Sequence, residues 1–150
     1  MTKFRSFIFA LLALVFVAGI FLANRADVAA ISNSTVTGLA VMKEMAKDTV
    51  PYQVAVSNNK PTLIEFYADW CTTCQSLAPT LKSFHQEYGR KVNFVMLNVD
   101  DPQWRDVIKK YRVTGVPQLT FLAADRENSK TFIGKVPQEI LEDIFVSLSR

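Results

Sequence analysis

Residues Leu63 to Cys74 read "LIEFYADWCTTC". The stretch holds both cysteines of the chain, three positions apart, the first directly after Trp70. Before them, "TLIEFYA" from Thr62 to Ala68 is apolar and aromatic with one acid inside it, Glu65. A short run of this kind, following the turn-forming Asn58-Asn59-Lys60-Pro61, reads as a buried strand. After them the pattern is helical. From Cys71 or Thr72 to about Tyr88, the apolar residues Leu77, Leu81, Phe84 and Tyr88 recur at spacings of three and four. Pro79 should kink that helix, and Gly89 should end it. The cysteines therefore sit where a buried strand passes into a helix.

Four uses of such a pair can be weighed. Structural zinc needs four ligands, usually cysteine and histidine; the chain offers two cysteines and one histidine, His85. Covalent haem attachment needs histidine directly after the second cysteine, and Gln75 stands there. A structural disulfide would close a loop of four residues, worth roughly 2 kcal/mol in the chain-entropy model. The reactive reading fits the surroundings best. At a helix start, unpaired amides and the helix dipole favour a thiolate. Only the thiolate attacks a disulfide, so a lowered pKa at Cys71 would matter directly. Cys74, one turn deeper, could then attack the mixed disulfide.

Outward from this stretch, strands and helices alternate. "VNFVMLNV" (Val92 to Val99) is a second buried strand. Asp101-Pro102 is an N-cap followed by an N1 proline, and Trp104, Val107, Ile108 and Tyr111 make the inner face of the next helix. "VPQLTFLA" (Val116 to Ala123) and "KTFIGK" (Lys130 to Lys135) are further strands, joined by a polar loop suited to a hairpin. Pro137 opens a terminal amphipathic helix through Ile140, Leu141, Ile144, Phe145 and Leu148. Upstream, Val36 to Lys47 reads as a weakly amphipathic accessory helix, and Pro51 as the start of a short one. The order β-α-β-α-β-β-α predicts an α/β fold, its first strand pair parallel and its last antiparallel.

The amino terminus is different in kind. Phe7 to Ala23, "FIFALLALVFVAGIFLA", is apolar throughout, with Lys3 and Arg5 before it. Seventeen helical residues span about 25 Å, near the lower limit for crossing a bilayer. The rival reading is a cleaved signal peptide with a small-residue site at Val28-Ala29-Ala30. A buried soluble helix would need a polar face that this run lacks. Under the positive-inside rule, either export reading places the rest of the chain in a thylakoid lumen, a periplasm or the cell exterior. Removing Lys3 and Arg5 from the 17 basic residues leaves 15, against 14 acidic. No basic cluster stands out, so nucleic acid is not an expected partner.

The combination of "LIEFYADWCTTC", Pro79 and "GVPQLTF" (Gly115 to Phe121) resembles the thioredoxin superfamily over about residues 60–150. That resemblance implies a thioredoxin fold, a central mixed sheet of about four strands flanked by helices. It implies that Cys71 is the exposed nucleophile and Cys74 the resolving cysteine, the two forming a redox-active disulfide. Trp70 would flank the site. Pro117 would be cis after Val116, and that loop would dock an extended substrate by strand-like hydrogen bonds. The chain then divides into an anchor over 1–23, a tether and accessory helix over 24–50, and a thioredoxin-like domain over 51–150.

Two departures from the family pattern matter. General thioredoxins carry Gly-Pro between the cysteines; here Thr72-Thr73 stands there. They usually bury an aspartate six residues before the first cysteine; here that position is Glu65. A carboxyl in apolar surroundings has a raised pKa and could take the proton of Cys74, unless Glu65 pairs with a lysine or faces outward. The lysine that often lies near this acid is replaced by Met96. Asp69 either biases the charge of the site or is a solvated loop acid, and His85 reads as a surface residue.

With the apolar amino terminus, the pattern is similar to the membrane-anchored thioredoxin-like proteins of cyanobacteria and chloroplast thylakoids. "YADWC" also resembles the C-terminal domain of the bacterial transmembrane thiol-disulfide interchange protein. The resemblance implies a membrane-tethered reductase acting on disulfide-containing proteins during assembly of redox and photosynthetic complexes, such as cytochrome maturation. It also implies a transmembrane thiol protein as electron donor, with no metal or organic cofactor. A disulfide-forming oxidase would share every one of these residues. A thioredoxin-fold binding module is the alternative outside enzymes.

Overall fold

Strand β1 (Thr62–Tyr67) is buried at every position and forms the middle of the sheet. The computed structural model describes residues 37–126 and 129–150. Among them, no helix is long and apolar enough to cross a membrane. The predicted anchor and the tether up to residue 36 lie outside the described residues.

Helix α1 covers residues 37–48, followed by α2 (Tyr52–Ser57), with Pro51 at its N-cap. After β1 come α3 (Thr72–Tyr88), β2 (Asn93–Asn98), a 3-10 turn (Pro102–Trp104) continuing into α4 (Arg105–Lys110), β3 (Gln118–Leu122), β4 (Ser129–Ile133) and α5 (Gln138–Leu148). The sheet order is β2-β1-β3-β4. β1 pairs parallel with β2 and antiparallel with β3, and β3 pairs antiparallel with β4. This is the mixed four-stranded sheet expected of a thioredoxin fold.

The pleat of β1 sorts its side chains onto two faces. Ile64 and Phe66 join Tyr52, Ala55, Val95, Leu97 and Leu122 in one core cluster, against which Trp104, Val107, Ile108 and Tyr111 pack. Leu63 lies in the cluster on the other side, with Leu77, Leu81, Phe84 and Phe145. Phe145 is the hub there: its ring centroid lies 4.9 Å from Phe84, 5.4 Å from Tyr88, 5.1 Å from Phe94 and 5.6 Å from Phe121. Burying a ring of that size stabilises the fold by roughly 1.5–3 kcal/mol. His85 is half buried, contrary to its reading as a surface residue, because its ring lies 4.9 Å from Phe94. Met45 of α1 belongs to the same cluster as Phe145, and Met42 to the cluster around the cysteines.

The end of the sheet where β1 begins is closed by a polar knot. Asn93 is buried, and its Nδ2 donates to Asn58 Oδ1 at 2.7 Å and Thr62 Oγ1 at 3.1 Å. Arg126 Nη1 donates to the same hydroxyl at 2.9 Å. Asn93→Ala removes one donor each from the buried Thr62 hydroxyl and the part-buried Asn58 carbonyl, both of which keep another, and the expected loss is about 1 kcal/mol. Denaturant unfolding at constant m-value checks it. The opposite end of the sheet carries the cysteines.

Candidate active site

Cys71 is the N-cap of α3, and its Sγ accepts a hydrogen bond from the Cys74 amide at 3.1 Å. The two cysteines form a disulfide, with Cα atoms 5.3 Å apart. The position of the pair follows from local sequence. β1 ends at Tyr67, and the Cys71 amide donates to the Ala68 carbonyl at 3.1 Å, closing a tight turn into the helix. An acceptor sulfur at the mouth of a helix meets unpaired amides and the positive end of the dipole.

Cys71 is less open than an exposed nucleophile: it is 5% exposed, and Cys74 is fully buried. The cause is packing. Both belong to an apolar cluster with Met42, Tyr67, Ala68 and Ala78, and Val116 packs against it. Of the two sulfur-bearing residues, only Cys71 keeps any surface.

Trp70 is the exposed wall, 66% accessible. Its Nε1 donates to Asp100 Oδ2 at 2.9 Å, and the Asp100 amide donates to Asn98 Oδ1 at 2.9 Å. The second wall is the loop before β3. The Val116–Pro117 bond is cis, and the Pro117 carbonyl accepts from the Gly134 amide at 2.8 Å. Among the described residues, no backbone hydrogen bond uses the Val116 amide or carbonyl. The register Phe66↔Gln118↔Ile133 brings this loop, the end of β1 and the exposed Ile133 to one end of the sheet. Gly134, with φ of 87°, turns the chain away there.

Glu65 lies beneath. It is 1% exposed and points to the α3 side of the sheet, like Leu63 and Tyr67. Its ladder neighbours are Met96 on β2 and Leu119 on β3, so neither flank offers a charge. Among the described residues, no donor reaches either carboxyl oxygen. Burial alone pushes its pKa up to about 8. The carboxyl is thus a weak acid held ready to exchange a proton near neutral pH. Burial, and then the nearby Asp69, Glu65 and Asp101 carboxylates, raise the Tyr67 hydroxyl above its usual range.

Residues 41–146 match the family model described as Thioredoxin. The chain belongs to the thioredoxin family. It is 40% identical over 108 residues, 72% of its length, to Thioredoxin-like protein HCF164, chloroplastic, of Oryza sativa subsp. japonica, and covers 41% of that protein. It is 35% identical over 146 residues, 97% of its length, to the Thiol:disulfide interchange protein TxlA homolog of Synechocystis, covering 76% of it. Among solved structures, chloroplastic thioredoxin z aligns with a TM-score of 0.56 at 23% identity, over 63% of this chain and 83% of that one. That last likeness bears on the thioredoxin fold alone.

Four residues of this thioredoxin site escape a reading by sequence. Asp100 holds the Trp70 indole. Lys43 Nζ lies 2.7 Å from Asp69 Oδ2, so Asp69 is a paired acid and not a free one. Gln75 Nε2 donates to the Asp69 carbonyl at 2.7 Å. Gly38 packs on the Gln75 backbone. Only Gln75 carried a signal, a polar residue directly beside Cys74 on the helix that proves to be buried.

Proposed function

We propose that the chain is a membrane-tethered thiol–disulfide oxidoreductase that reduces disulfides of exported or lumenal proteins. Its setting is the assembly of redox and photosynthetic complexes, cytochrome maturation among them. The observation that carries this reading is the Cys71–Cys74 disulfide at the mouth of α3, with the Cys71 sulfur accepting a helix amide, and with Glu65 buried on the strand that leads into the turn and, among the described residues, without a hydrogen-bond partner. The names of the relatives, a chloroplastic thioredoxin-like protein and a thiol:disulfide interchange protein, support it. The apolar run from Phe7 to Ala23 behind Lys3 and Arg5 supports the tether.

The reduced protein works in two displacements. The Cys71 thiolate attacks one sulfur of the target disulfide; a mixed disulfide forms and the other target sulfur leaves as thiolate. Glu65, as carboxylate, takes the proton of the Cys74 thiol. The Cys74 thiolate then attacks Cys71 Sγ, the internal disulfide forms, and the second target sulfur departs. Two electrons pass to the target, and the protein is left oxidised. Trp70 and the Val116–Pro117 loop bound the surface on which the target lies. A membrane thiol protein returns the electrons, because an exported reductase has no direct access to cytosolic reductant.

The reduction potential of the pair tests this reading. The full chain is equilibrated in dithiothreitol or glutathione buffers, and its thiols are counted. A value near that of thioredoxin, about −270 mV, is expected. A value near about −120 mV would make the pair a strong oxidant, and the reductase reading would be abandoned.

A further inference from the structure

Helix α1 meets the residues on both sides of the reacting pair. Pro79 lies inside α3 and has no amide hydrogen, so it cannot serve the Gln75 carbonyl four residues earlier. Gly38 of α1 lies against that carbonyl. A Cβ at position 38 would stand 2.4 Å from Gln75 O and 2.9 Å from its carbonyl carbon, closer than real side-chain carbons come to backbone. Only glycine lets α1 seat here. Gln75 is itself buried and ties back to the Asp69 carbonyl through Nε2. α1 reaches Asp69 directly, through the 2.7 Å Lys43–Asp69 ion pair. Between these contacts, Met42 is fully buried in the cluster that contains Cys71 and Cys74.

We propose that α1 braces the redox turn, with Gly38, Lys43 and Gln75 acting as positioning residues for thiol–disulfide exchange at Cys71. The proposal rests on the thiol-exchange reading above and names what sustains it. In the disulfide, a covalent bond holds residues 71 and 74 together. In the dithiol, only the surrounding ties keep the Cys71 sulfur over the Cys74 amide. Charge acts through the same contacts. Glu65 and Tyr67 lie on β1 before the turn, Asp69 belongs to it, Asp100 and Asp101 follow β2, and the first turn of α3 carries no titratable group besides the cysteine. Lys43 is the basic member of this set. By pairing with Asp69, it removes a negative charge two residues from the developing thiolate.

The test uses the full chain, reduced, and follows alkylation of Cys71 by iodoacetamide against pH, read by mass spectrometry. Lys43→Gln is expected to raise the apparent thiol pKa by about half a unit, as an exposed charge does in water. Asp69→Asn is expected to lower it by a similar amount, and the double variant to return near the parent. Both shifts should shrink at high salt. Gly38→Val, which lifts α1 away, should shift the pKa in the same direction as Lys43→Gln while unfolding remains cooperative. A merely structural pair would move both single variants the same way or not at all; either result overturns the brace. Insulin-disulfide reduction by the parent separates the two levels. If the parent fails to reduce insulin, the thiol-exchange reading fails, while the pKa series still decides whether α1 acts on Cys71.

Discussion

Glu65→Gln should stabilise the oxidised protein increasingly as pH rises, and slow one catalytic step. The unfolded glutamate titrates near 4.5, and the folded one near 8. Between those values the folded state holds the proton more tightly than the unfolded state. Stability conferred by the protonated carboxyl is therefore fully present below pH 4.5 and is lost as pH rises through about 8. The difference in proton affinity corresponds to a loss on the order of 5 kcal/mol across the window. Glutamine keeps the shape and polarity of the neutral acid but cannot ionise. Variant and parent should match near pH 4.5, and the variant should lead by about 3 kcal/mol at pH 7. Denaturant unfolding at a series of pH values measures the difference, and other titrating groups cancel in it. A flat difference would mean that Glu65 ionises as freely in the folded chain as in the unfolded one.

The same substitution separates two kinetic steps. First attack by Cys71 needs no proton acceptor at position 65, so it should be nearly unchanged. Release from the mixed disulfide needs the Cys74 proton removed, and it should slow on the order of a hundredfold. Equal slowing of both steps would sink the role. Met96→Lys is the complementary change. Met96 is the β2 ladder neighbour of Glu65, so a cation there would draw the carboxyl pKa down. The pH-dependent stability difference should then move to lower pH.

How much of this was legible in the chain depends on the range of the interaction. β1 and α3 were readable because their signals are local: a continuous apolar run, then apolar residues at helical spacing. The boundary Thr72–Tyr88 agrees with the pattern from Thr72 to Tyr88. The direction of β3 was not readable, because β1 and β3 lie more than fifty residues apart and pair by registry alone. Glu65 could be placed inside a strand, but its isolation depends on Met96 and Leu119 flanking it, which is a matter of sheet order. Asp69 was ambiguous for the same reason. Its partner Lys43 stands 26 positions earlier on a helix with only weak amphipathic character. The docking of that helix turns on Gly38, and nothing in the local pattern marks one glycine as a contact surface. Cys71 read as an exposed nucleophile by resemblance, and the apolar cluster around it explains its near burial.

Near burial also shapes what the cysteine variants should do. Cys74→Ser is expected to accumulate protein joined to its targets through Cys71, while Cys71→Ser accumulates none. An entering sulfur must reach the sulfur it attacks, and Cys74 is fully buried whereas Cys71 keeps 5% of its surface. Cys71 also has the electrostatic advantage. Its sulfur already accepts the Cys74 amide at 3.1 Å, and a thiolate in that place is held by a charge-assisted hydrogen bond and the helix dipole. With serine at 74, the first displacement still proceeds, but no second thiolate is present to expel the target. The adduct therefore persists until an outside reductant cleaves it. With serine at 71, the remaining thiol lies within the cluster of Met42, Tyr67, Ala68 and Ala78, and lacks the N-cap position on the helix. Non-reducing electrophoresis after acid quenching, with peptide mapping of the linked cysteine, reads the result. Comparable adducts through Cys74 would reverse the assignment of nucleophile and resolver. Both variants should lose insulin reduction entirely, since one cysteine cannot close the cycle. A Cys71→Ser, Cys74→Ser double variant that still fully complements loss of the protein in cells would move the essential function from exchange to binding.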